Sequence, residues 1–167
     1  MIRDEKTGDH EAIGELLATA FRDHPFSQQR EGELVELLRA AGALSVSLVA
    51  VEDEAVIGQI AFSPVTINGV DEGWFGLGPV AVQPTMQGRG IGRALIEAGL
   101  ARIRTLGAAG CVLVGDAGFY QRFGFRTDPR LRLAGVPPEY FMALALNPEQ
   151  DMPTGEVRFH AAFDAVS

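Results

Sequence analysis

Val80-Ala81-Val82-Gln83-Pro84-Thr85-Met86-Gln87-Gly88-Arg89-Gly90-Ile91-Gly92-Arg93 is the stretch where the pattern of the chain changes period. Its first three residues close a β-rich run that opens at Trp74. From Gly90 to Leu106 the apolar residues Ile96, Leu100, Ile103 and Leu106 recur along one helical face. The segment therefore reads as buried strand, short loop, helix. Gly88, Gly90 and Gly92 at a helix start cost stability unless the backbone must come close to something. Bared N–H groups at the positive end of a helix dipole form a ready anion site. Arg89 and Arg93 add charge that complements phosphate oxygens.

Two familiar phosphate loops do not fit. The P-loop needs GxxxxGK[ST], and the chain's only lysine is Lys6. The dinucleotide fingerprint GxGxxG fails at Gly88-Arg89-Gly90-Ile91-Gly92-Arg93, because its sixth residue is Arg93. Upstream, Gly76-Leu77-Gly78-Pro79-Val80-Ala81 fits GxGxxA letter for letter, yet it lies within a predicted strand with no helix opening after it. A nucleotide-binding reductase is disfavoured on both counts.

Outward from this loop the chain reads as α/β. Met1 to Lys6 suits a first strand, and Thr7 is placed to cap a helix carrying Ile13, Leu16, Leu17, Ala20 and Phe21. His24-Pro25 breaks that helix. A second helix carries Leu34, Leu37, Leu38 and Ala41, with Gly42 just beyond. Strand-like runs follow at Leu44 to Val51 and Val56 to Ile67, separated by Glu52-Asp53-Glu54. Asn68-Gly69 is a strong turn signal before the strand Trp74 to Val82. Cys111 to Val114 reads as a short buried strand and Ala117 to Phe123 as a short helix, with late strands around Tyr140 to Leu146 and Glu156 to His160. The order βααβββαβα plus strands, without repeats or linkers, makes residues 1–167 one domain.

Composition narrows the function. The chain has 167 residues, 47% hydrophobic and 22% charged, enough to bury a core without disulfides. Cys111 is the single cysteine and reads as core, while His10, His24 and His160 are scattered with no metal-ligand spacing. The net charge of -8 argues against nucleic acid. The charged N-terminus lacks a signal-peptide core and no apolar run spans a bilayer, so the expected compartment is the cytoplasm, with no membrane partner. Between Arg89 and Arg132 eight arginines face three acids, 8 − 3 = +5, leaving -8 − 5 = -13 elsewhere. That asymmetry suits a small polyanion held by this segment, or equally a set of solvated arginines.

Gln87-Gly88-Arg89-Gly90-Ile91-Gly92 matches the Q/R-x-x-G-x-G/A motif of the GNAT superfamily of N-acetyltransferases. Phe119-Tyr120-Gln121-Arg122-Phe123-Gly124-Phe125 resembles its later YxxxGF signature, and the order of elements is similar over most of the chain. The resemblance implies a single-domain mixed, mostly antiparallel sheet flanked by helices, with splayed central strands. It implies acetyl-CoA as co-substrate, an amine acceptor (small molecule or peptide), direct transfer in a ternary complex, and no metal.

On this resemblance Val80, Ala81 and Val82 pair with the pantetheine arm, and Gln87, Gly88, Arg89, Gly90, Ile91, Gly92 and Arg93 cradle the pyrophosphate. Tyr120 takes the general acid's place; the alternative is a tyrosine merely packed against Phe123 and Phe125. A backbone N–H near Val82 would meet the oxyanion. Gly78-Pro79 suits a bulge.

The chain also departs from the family. Gly76 stands where some members carry a glutamate base, and no carboxylate occurs between Gly73 and Ile96. Glu31 and Glu33 are candidates for the acceptor site, or else the solvated face of their helix. Asp116 stands where the family often has Asn, in a shortened loop. The segment Gly135 to Phe141 is either a wall of the acceptor pocket or a plain loop. A non-catalytic acyl-CoA-sensing module is the rival function. The acceptor's identity is open, as is the oligomeric state, with a homodimer among the alternatives.

Overall fold

The computed structural model describes residues 1–25 and 27–167. Six strands form the main sheet: β1 (Ile2–Asp4), β2 (Val46–Glu52), β3 (Ala55–Pro64), β5 (Trp74–Val82), β6 (Gly110–Val114) and β8 (Phe141–Ala145), in that spatial order. All neighbours pair antiparallel except β5 and β6, which run parallel. Three short strands, β4 (Thr66–Ile67), β9 (Gly155–Arg158) and β7 (Leu131–Arg132), form a second small sheet.

The alternation of side chains along β2 and β3 makes two cores. Leu48, Ala50, Ile60 and Phe62 face α3 (Ile91–Thr105), meeting Leu95, Ile96, Leu100 and Ile103. Val49 and Ala61 point the other way. They pack with Ile13, Leu16 and Leu17 of α1 (His10–Phe21) and Val35 of α2 (Glu31–Ala40). Leu34 and Leu38 turn instead to Ala162 of α5 (Ala161–Ala165). Helix α2 thus has two apolar sides because it lies between two helices, and Val35 joins the buried set beside Leu34 and Leu38.

Several local expectations change. Thr7 does not cap α1; it opens a 3-10 turn to Asp9. Asp9 replaces it as the organising group, accepting the Lys6 N–H at 2.7 Å and pairing with Arg3 at 2.7 Å, because an ionised carboxylate outcompetes a hydroxyl. The run Val56 to Ile67 is two strands. The chain leaves the main sheet after Pro64, which has no N–H to extend the ladder, and β4 joins β9. Asn68 and Gly69 turn with φ of 52° and 80°. Helix α4 (Ala117–Tyr120) continues as a 3-10 turn to Phe123. Strand β7 and helix α5 were not legible in the sequence, being two and five residues long.

Candidate active site

Strands β5 and β6 pair only over Trp74–Gly110, Phe75–Cys111 and Gly76–Val112. Beyond Gly76 and Val112 they part, leaving the second half of β5 with one open edge. The register between β3 and β5 shifts at the same level: Ile60 opposes Val80, whereas Phe62 opposes Leu77. Gly78 and Pro79 together stand opposite Ala61, one residue in excess, so the expected bulge is present.

Which backbone groups face the opening follows from the pleat. Gln83 donates to the Ile57 carbonyl at 2.8 Å, toward β3. Val82 therefore turns its N–H and carbonyl the other way, into the slot, and so does Val80. Ala81, between them, opposes Gln59 and directs its backbone to β3. The Val82 carbonyl accepts the Gln87 side-chain amide at 3.3 Å, which leaves the Val82 N–H as a donor at the slot's edge.

Helix α3 begins at the slot's end. Gly88 and Gly90 have φ of 82° and 81°, a region that side chains rarely adopt, and this brings the loop into the helix without a Cβ over it. Ala94 donates to the Gly90 carbonyl at 3.0 Å, the first bond of the helix. The N–H groups of Ile91, Gly92 and Arg93 precede it and have no carbonyl one turn back. The arginines answer neighbouring acids as well as the loop. Arg89 pairs with Glu52 at 3.1 Å and Arg93 with Glu97 at 3.0 Å. The basic segment is further balanced by Arg102 on Asp4 and Arg130 on Asp128.

The slot opens into a cavity of about 700 Å³ lined by residues from β5, α1, α2, the loop after β7 and α5. Val80, Ala81, Val82, Gln87 and Tyr120 all border it. The Tyr120 ring lies over Gly115, where a Cβ would come within 2.5 Å of its Cε2. It packs against Phe119, Phe123 and Phe125 at centroid distances of 5.0, 6.3 and 6.1 Å. Burial raises the phenol's pKa above its ordinary value, and nearby Cys111 adds to the shift. Packing and a place on the cavity wall thus coexist in this side chain. Cys111 is fully buried, and desolvation pushes its thiol up, so it is core.

Chain and family meet at this point. Residues 43–127 match the family described as Acetyltransferase (GNAT) domain. The uncharacterized N-acetyltransferase YhbS of Escherichia coli K12 is 36% identical over 169 residues, spanning 98% of each chain.

The chain belongs to the GNAT acetyltransferase family.

Solved structures agree with this GNAT assignment. A GNAT family acetyltransferase from Brucella melitensis, in complex with acetyl-CoA, is 52% identical with a TM-score of 0.88, covering 98% of this chain and 97% of its own. YhbS from Escherichia coli in complex with CoA is 36% identical with a TM-score of 0.89, covering 98% and 91%.

The remaining GNAT-based expectations sort by position. Glu31 borders the cavity, whereas Glu33, two residues on, forms an exposed pair with Arg30 at 2.8 Å. Asp116 accepts the Gly118 N–H at 3.0 Å and caps α4. Of the segment Gly135 to Phe141, Val136 borders the cavity. His10 sits 3.2 Å from Glu5, His160 caps α5 through Nδ1, and His24 lines the cavity beside Phe21. Among the described residues no group of three His, Cys, Asp or Glu could hold a metal, and no helix is long and apolar enough to cross a membrane. Phe159, Phe163 and Val166 on the cavity wall were missed. Their only signal is an aromatic pair near the C-terminus, which reads as ordinary core.

Proposed function

We propose that this acetyltransferase binds acetyl-CoA along the open edge of β5 and transfers its acetyl group directly to an amine entering from the α1–α2 side. The observation that carries this reading is the coincidence, in one cavity, of an unpaired strand edge, Gln87 from the loop that leads into α3, and Tyr120. Val80 and Val82 offer N–H and carbonyl groups to the amides of the pantetheine arm, and the N–H groups from Gly88 to Arg93 face the pyrophosphate.

The chemistry then follows from charge. The acceptor ammonium sheds a proton to solvent, and the neutral amine adds to the thioester carbonyl carbon. The oxyanion so formed meets the Val82 N–H. As the intermediate collapses the C–S bond breaks, the thiolate takes the Tyr120 proton, and the proton lost by nitrogen restores the phenol through water. Amide and free CoA result. Burial raises the phenol's pKa, so Tyr120 is in its protonated form at neutral pH. The absence of any helix able to span a membrane among the described residues accords with a cytoplasmic site of action.

Calorimetry with acetyl-CoA and free-CoA release with an amine panel test the reading together. Binding with amine-dependent CoA release supports it. Binding without release from any amine would favour the acyl-CoA-sensing alternative.

A further inference from the structure

Apart from the β5 residues, the cavity is lined by the apolar side chains of Phe21, Leu34, Leu133, Phe159, Phe163 and Val166, together with the polar His24, Gln28, Arg30 and Glu31. The rings of Phe159 and Phe163 lie 5.0 Å apart, tilted by 36°. Phe159 also covers Gly76: a Cβ there would come within 2.5 Å of the ring's Cε1. A phenyl ring thus occupies the space into which a side chain from β5 would project.

Among these apolar residues stands one acidic side chain. Glu31 is the sole Asp or Glu among the described residues bordering the cavity. Ser27 Oγ lies 2.8 and 2.6 Å from its two oxygens, which orients the carboxylate and leaves lone pairs for further N–H donors. Five other acids of the N-terminal half pair with arginines: Asp4 with Arg102, Glu5 with Arg39, Asp9 with Arg3, Glu33 with Arg30 and Glu52 with Arg89.

We propose that the acceptor is a primary amine on an apolar, aryl- or alkyl-bearing body, its nitrogen held at Glu31 and its body against Phe159, Phe163 and Val166. This deepens the acetyl-transfer reading and rests on it. A polyamine would place its second and third ammonium groups against hydrocarbon with no carboxylate to meet them. A free amino acid would bring a carboxylate to a wall whose one arginine, Arg30, is already held by both oxygens of Glu33 at 2.8 and 2.9 Å. A monocationic amine with a hydrophobic body matches both halves of the wall.

The test compares 2-phenylethylamine, ethanolamine, spermidine and a lysine-containing peptide by free-CoA release, with acetyl-CoA binding measured separately by calorimetry. The expected result is a kcat/KM for 2-phenylethylamine at least about tenfold above the other three. Phe163→Ala should shrink the margin over ethanolamine to about threefold or less. Glu31→Gln should raise the amine KM about tenfold while leaving the acetyl-CoA Kd unchanged. Should Phe163→Ala not fold, Val166→Ser serves the same comparison. Spermidine, ethanolamine or the peptide equalling or exceeding 2-phenylethylamine overturns the proposal. So does acetyl-CoA binding with no amine accepted. Absence of any acetyl-CoA heat overturns the acetyl-transfer reading itself, and that result is distinct from the other two.

Discussion

Tyr120 borders the cavity with a side chain that also packs against the core. The two roles separate in Tyr120→Phe, which removes one oxygen and keeps the packing against Phe123 and Phe125. If the phenol protonates the thiolate, single-turnover acetyl transfer falls by roughly 10²–10⁴-fold while acetyl-CoA affinity and Tm barely move. Transfer at the wild-type rate would remove Tyr120 from the mechanism. A general acid must be protonated, so any alkaline loss of activity due to this group begins above the ordinary phenol value of 10.0, since burial raises it further. Asp9 makes the opposite case. The Arg3 guanidinium holds its carboxyl down at about 2, against an ordinary 3.8. A carboxyl depressed on folding stabilises fully above its unfolded value and loses that contribution as pH falls through the folded one. Unfolding monitored by circular dichroism should therefore show stability declining between about pH 4 and pH 2. In Asp9→Asn this part of the decline should vanish, with lower stability at neutral pH.

At the scale of the element, α3 has two jobs at its two ends. Its first turn faces the slot, and Gly90 holds φ of 81° with open space where a Cβ would be. Gly90→Asp exploits this, because Asp tolerates the left-handed region better than most residues and sets a negative charge on the loop proposed to hold the pyrophosphate. Acetyl-CoA binding by calorimetry should be lost, with at most a modest fall in Tm. Midway along, Gly99 sits against the buried ring of Phe62, too close for any added atom. Gly99→Ala forces that contact apart, at a cost of about 1–3 kcal/mol for overpacking. Thermal unfolding should shift down by about 3–10 °C in a domain of this size. Acetyl-CoA affinity of the folded fraction should be retained, since Gly99 faces the sheet and not the loop.

In the whole molecule, binding and stability are linked through the parted strands. The slot opens beyond Gly76 and Val112, where the pairing of β5 with β6 ends, at the level of the bulge at Gly78-Pro79. A ligand that completes this edge only in the folded protein stabilises by mass action, about 2.7 kcal/mol at 100 times Kd. Acetyl-CoA at that concentration should raise Tm by about 5–10 °C, read by calorimetric or fluorescence melting. No shift at saturation would count against the edge of β5 as the binding surface.

The glycine-rich turn into α3, the bulge, the turn at Asn68-Gly69 and the family were legible in the chain itself. Each depends on residues within a few positions of one another: glycines where φ must be positive, a proline that cannot extend a ladder, apolar residues repeating at 3.6 or 2. Which of Glu31 and Glu33 reaches the cavity was not legible, though they stand two residues apart and hence about 200° apart around one helix. That choice is made by α1 on one side of α2 and α5 on the other, through Val35 and through Leu34 and Leu38. Nor could sequence order show Arg89 reaching Glu52, or Phe159 lying over Gly76. Short-range patterns encode backbone conformation, which neighbouring residues decide. The cavity's chemistry is set by side chains brought together from distant parts of the chain, and only packing of the finished fold selects them.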